Sequence, residues 1–147
     1  VTAGAALGER LYFLDAVDGL RTNLPPKHPV VVQTNRQFIR WDGDCNLVDG
    51  TFRIRISQEL SLSQAIDVLL HEWAHALSWY TCFSGVARSR RISKNEFDWL
   101  AHGPKWGIAY SKVYQCFTYE IAPRLHAGGL TATRPQTRRA RRKGSKK

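Results

Sequence analysis

Methionine is missing altogether from the 147 residues, so a removed initiator, or a start downstream of one, is the expectation. Cysteine is scarce and odd in number: Cys45, Cys82 and Cys116, with no CxxC pair. That argues against a disulfide scaffold and against a Cys-type zinc ribbon. Three small apolar side chains in a reducing, intracellular setting are expected instead. No stretch approaches the roughly 18 consecutive apolar residues of a membrane span. The first ten residues lack a basic segment followed by an apolar run, so they do not read as a signal peptide. Acid is missing from the C-terminal end. Arg134, Arg138, Arg139, Arg141, Arg142, Lys143, Lys146 and Lys147 face no Asp or Glu there. Taking those eight from the net charge of +10 leaves +2 for the first 133 residues. The chain is a nearly neutral domain carrying a basic tail.

What is present is enough for one folded domain. Hydrophobic residues make up 43% and aromatics 11%, which excludes disorder as the whole answer. Residues 8–21 space Leu11, Leu14, Ala16, Val17 and Leu20 as a short amphipathic helix. A proline-rich break, Leu24–Pro29, precedes a β-branched strand, Val30–Thr34, which Gln37–Trp41 either continues or follows with another. Asp42-Gly43-Asp44 and Asp49-Gly50 are turn signals. Thr51–Ser57 alternates strictly, with Phe52, Ile54 and Ile56 on one face and Arg53 and Arg55 on the other. These pieces predict a small antiparallel sheet. A long helix follows from about Leu62 to Tyr80, capped by Ser61 or Ser63, with Ile66, Leu69, Leu70, Trp73, Leu77 and Tyr80 on its core arc. Residues 84–94 read as a loop and Asn95–Ala101 as a short helical turn. Pro104 suits the first turn of a second helix, striped by Trp106, Ala109, Tyr110, Val113, Phe117 and Ile121 and ended by Pro123. The predicted class is α+β. A domain over 1–126 is followed by a flexible basic tail over 127–147.

The informative string is His71-Glu72-Trp73-Ala74-His75. Residues four apart share a helical face, so both imidazoles can reach one zinc ion, and the Glu between them can take a proton from an activated water. Helical-wheel arithmetic turns His71 and His75 away from the core arc, on a second face with Val68 and Trp79. A face so composed suggests a cleft partly covered by another lobe. Catalytic zinc needs a third protein ligand. Two residues compete for that place: His102, in His102-Gly103-Pro104-Lys105-Trp106, and Glu96, twenty residues after His75.

The run His71–Leu77, a basic loop and then His102-Gly103-Pro104-Lys105-Trp106 resembles the SprT-like (Spartan-type) metallopeptidase domain, over roughly residues 30–122. That family shows HExxHA, a variable loop, and HGxx followed by an aromatic that opens a helix. The resemblance implies a zincin-like fold, zinc (Zn2+) held by His71, His75 and His102, and Glu72 as general base. It makes Glu96 the minor candidate. SprT-like proteins often carry a C-terminal zinc ribbon, and this chain has no cysteine pairs for one. Small stand-alone versions of this kind are associated with phages and mobile elements, so a cytoplasmic or virion-associated setting is expected.

Other residues carry weaker signals. His28 and His126 read as surface or structural. Tyr110, Tyr114 and Tyr119 read as core packing, with an oxyanion donor as the alternative, and Glu120 can orient a ligand from behind. Arg88, Arg90, Arg91 and Lys94 read as a solvated loop or a phosphate contact rimming the cleft. The tail, with Arg138, Arg139, Arg141, Arg142 and Lys143 at its centre, attracts polyanions, nucleic acid first among them, without reading base sequence. The leading expectation is a zinc metalloendopeptidase acting on protein substrates, some of them on nucleic acid. The alternative is a nucleic-acid-associated or virion structural protein whose metal only holds the fold.

Overall fold

The computed structural model describes residues 3–35, 41–83 and 93–127. The tail from 128 to 147, with all its arginines and lysines, lies outside them, as do Gln37–Arg40 and the loop cations Arg88, Arg90 and Arg91. Ala127, expected in the tail, instead closes the last helix.

The architecture is α+β. Helix α1 (Ala3–Asn23) leads into strands β1 (Val30–Asn35), β2 (Gly43–Val48) and β3 (Thr51–Ser57), and helices α2 (Leu62–Cys82), α3 (Lys94–Ala101) and α4 (Pro104–Cys116) follow. A π-helical turn, Phe117–Ile121, joins α4 to α5 (Ala122–Ala127). Alternation in β3 does what its sequence predicts. Phe52, Ile54 and Ile56 are fully buried, each side chain contributing about 1.5–3 kcal/mol by leaving water.

The sheet corrects the expected antiparallel arrangement: it is mixed, in the order β1-β3-β2. Asp49 (φ 49°) and Gly50 (φ 71°) both adopt left-handed backbone, the two-residue turn that folds β2 tightly against β3. The hairpin takes one edge of β3, so β1 takes the other. It runs parallel to β3 from Val30 opposite Phe52 to Asn35 opposite Ser57. Asp42-Gly43-Asp44 is a second correction. Only Asp42 bends, while Gly43 and Asp44 already pair with Ile56 and Arg55.

Helix α2 is the central element. Ser61 caps it in a reciprocal box with Gln64: the Ser61 hydroxyl accepts from the Gln64 N–H at 3.4 Å, and the Gln64 amide oxygen from the Ser61 N–H at 3.0 Å. Ile66, Leu69, Leu70 and Trp73 are buried as predicted, and the Trp73 indole donates to the Leu24 carbonyl at 2.9 Å. Leu77 is only half-buried and Tyr80 is exposed, while Trp79 between them meets Phe52 of β3. Tyr80 instead meets His28 at 2.7 Å. Burial moves to the second face, where Glu72 and Ala76 are covered.

Helix α1 is longer than predicted at both ends, and it buries Ala16, Val17 and Leu20 but leaves Leu11 and Leu14 exposed. Pro123 does not end the last helix. The wider π turn before it takes up the register slip that a missing N–H imposes, and the chain continues helical to Ala127.

Candidate metal centre

Two turns of α2 and the junction of α3 with α4 meet at one point. His71 and His75 lie one turn apart on α2. His102 caps the C-terminus of α3, and its backbone N–H donates to the Asp98 carbonyl at 3.0 Å. Gly103 and Pro104 then start α4 at once. The tight junction needs glycine, since a Cβ at Gly103 would stand 2.8 Å from the Trp99 carbonyl oxygen. Aromatic stacking docks α3 on α2: Trp79 packs on Phe83, and Phe83 stacks on Phe97 with centroids 5.3 Å apart. Lys105 ties the start of α4 to the end of α2 by donating to the Thr81 carbonyl at 2.9 Å.

The result is a near-equilateral triangle of Nε2 atoms: His71–His75 3.1 Å, His75–His102 3.2 Å and His71–His102 3.3 Å. Protons alone do not satisfy it. Each nitrogen is either a donor or an acceptor, so among three at least one edge pairs like with like. The remaining ring nitrogen of His102 identifies its tautomer. Nδ1 lies 3.3 Å from the Asp98 carbonyl, which only accepts, so Nδ1 is the donor there and Nε2 is the nitrogen left facing the triangle. Burial holds His71 below its ordinary pKa and, with the neighbouring imidazoles, pushes His75 down to about 3. Neutral imidazoles are what a metal requires. Nitrogens about 2.0–2.1 Å from a tetrahedral ion stand about 3.3 Å from one another, which is the size of this triangle. Among the described residues, His71, His75 and His102 form the one group able to hold a metal ion. Glu96, the competing third ligand, is not in it. It opens α3, where its N–H is taken by the Ser93 cap.

Trp106 walls the triangle, its ring centroid 4.8, 5.5 and 5.2 Å from those of His71, His75 and His102. Its Nε1 is buried with no hydrogen-bond partner among the described residues, at a cost of about 1–3 kcal/mol. That ring was legible in the sequence as part of an apolar stripe and as the aromatic after the His102-Gly103 string, but not as a wall of the site.

No family model, curated protein or solved structure matches the chain.

Glu72 lies beside the triangle, 7% exposed, on the wall of an open cleft. Burial, with Asp44 nearby, raises its carboxyl to about 7. Gly43 makes this approach of β2 to α2 feasible: a Cβ there would collide with Val68, stand 2.9 Å from the Arg55 carbonyl oxygen and press on Glu72. Sequence reasoning missed this role, because glycine between two aspartates signals a turn more strongly than a close contact. Cys45, facing the same helix, is held protonated by burial and by Glu72.

The remaining candidates fall elsewhere. Tyr110 borders the cleft and stacks on Trp106, while Tyr114 and Tyr119 are exposed rather than packed in the core. Glu120, on the π turn, is also exposed. His126 rests against Tyr12, and His28 against Phe52 and Tyr80. Among the described residues no helix is long and apolar enough to cross a membrane.

Proposed function

We propose that this chain is a zinc-dependent endopeptidase of the SprT-like, zincin type, with His71, His75 and His102 as ligands and Glu72 as general base. The observation that carries the reading is the triangle of imidazole nitrogens, sized for a tetrahedral ion, beside a buried carboxyl that opens on a cleft. Zinc bound there supplies Lewis acidity toward a carbonyl oxygen and toward water. The rest belongs to the chain's own residues. Glu72, with a pKa near the working pH, takes a proton from the attacking water and returns it to the departing amine. The Asp98 carbonyl fixes the orientation of His102, and Trp106 packs the three rings together. Strand β2 is an edge of the described sheet and its Gly43 lines the cleft, so an extended peptide adding to that edge enters beside Glu72.

Three protein ligands among the described residues, with a cleft open beside His71, favour catalysis over the structural alternative, since closed structural zinc sites use four. The basic run Arg138–Lys143 supports substrates carried on nucleic acid, through charge alone.

Two measurements on protein purified without added metal test the reading. Elemental analysis is expected to find about one zinc per chain, and Glu72→Ala to keep it. The same variant is expected to cut an unfolded protein about 10²–10⁴-fold more slowly. Cleavage at the wild-type rate, or a wild type that binds no metal, overturns the proposal.

A further inference from the structure

The cleft beside the triangle has a composition of its own. It is an open recess of about 380 Å³ that shares His71 and Glu72 with the centre. Its walls are Trp41, Val68 and Tyr110. Trp41 is 67% exposed at the lip, while Tyr110 is held by stacking on Trp106, the ring planes only 12° apart. Its remaining ionisable groups are two carboxylates, Asp42 and Asp67, both exposed. Among the described residues no lysine or arginine lines it. The domain that carries the recess is nearly neutral, +2 over the first 133 residues, so its acidic character is local.

We propose that this recess is a specificity pocket for a basic side chain, so that the peptide bond cut lies beside arginine, or second to it lysine. The inference rests on the peptidase reading and names its substrate class. The chemistry matches along the length of such a side chain. Its aliphatic stem lies against Val68 and the aromatic walls. A guanidinium stacks on Trp41 or Tyr110, as planar cations do on aromatic faces. Its N–H groups then reach Asp42 and Asp67 in charge-assisted hydrogen bonds. A leucine in the same place would take water from the carboxylates without replacing it, and a glutamate would meet like charge. Asp67 precedes His71 by four residues, one helical turn or about 6 Å along α2. The side chain held there therefore belongs to a residue flanking the scissile bond. Lysine- and arginine-rich proteins are also those that sit on nucleic acid, the polyanion the tail attracts.

The test separates binding from cleavage. Zinc-loaded Glu72→Gln is titrated by calorimetry with blocked hexapeptides that differ only in one central residue: Arg, Lys or Leu. The Arg peptide is expected to bind about tenfold more tightly than the Leu peptide, with Lys between. Asp42→Asn combined with Asp67→Asn is expected to erase most of that advantage. Equal or undetectable binding of all three peptides overturns the pocket. In parallel, wild-type digests of a reduced, alkylated albumin are mapped by mass spectrometry. Cuts enriched beside Arg and Lys support the pocket. Cuts without enrichment overturn it and leave the peptidase reading standing. Arg-selective binding with no cleavage by the wild type does the reverse.

Discussion

His71 and His75 reach the centre by a different route from His102. The first two ride on a helix of 21 residues, capped at its start and buried against the sheet on one side and α4 on the other. Their separation is set by the helical repeat, and only unfolding α2 changes it. His102 ends a helix of 8 residues that buries little besides Ala101 and leaves Phe97 and Trp99 exposed. A helix that short does not hold itself together in water. It is docked by the Phe83–Phe97 stack and by the glycine junction to α4. One arm of the centre is thus rigid by secondary structure and the other by tertiary contact, so His102 is the adjustable member of the triangle.

Three perturbations break or sharpen that contrast. Removing a rigid ligand has the largest effect: His75→Ala is expected to lower zinc affinity by more than the roughly 10–100-fold that supporting groups contribute. A competition titration with a chelator measures it, and retention of wild-type affinity would show that the helical pair is not the anchor. Loosening the docked arm comes next. Phe97→Ala leaves α2 untouched and is expected to weaken zinc about tenfold, with little change in helix content by circular dichroism. A fall as large as that of His75→Ala would erase the distinction between the arms.

The smallest effect is on the metal-free fold and depends on pH. The Glu72 carboxyl is raised from 4.5 to about 7, so its contribution is fully present below 4.5 and lost as pH rises through 7. Glu72→Gln is therefore expected to melt higher than wild type at pH 8, by about 5 °C, and to match it near pH 4.5. The lowered imidazoles act in the opposite sense. Their contribution is complete above 6.5 and is lost as pH falls toward about 3 for His75. Both variants of the pair keep His75, so that loss cancels from the comparison.

The sequence disclosed what local periodicity governs. Alternation identified β3, and helical spacing identified the His71–His75 pair and the second, half-covered face on which it lies. The fold class was legible at the level of α+β. Strand direction was not, because nothing local in Val30–Asn35 says which edge of β3 it will take once the Asp49-Gly50 turn has filled the other. Gly43 was misread for a related reason. Its importance comes from Val68 and Glu72, more than twenty residues away, rather than from its neighbours. Pro123 misled because a π turn can absorb a proline, and no composition signal announces one. His102 was found through a motif and a resemblance. The stack of Phe83 on Phe97 that brings it to α2 joins residues fourteen apart across a segment with no periodicity.

The triangle of nitrogens has one more consequence. No distribution of protons satisfies all three edges, so an ion that binds all three nitrogens also draws the docked arm onto the rigid pair. Loading the ion and seating α3 are then a single equilibrium. By linkage, a ligand that binds only the closed form stabilises it by RT ln(1 + [L]/Kd), so the fold's own persistence tracks the free ion concentration around it. Where the ion is scarce, the short α3 and the His102 it carries are expected to be the first part of the centre to be lost.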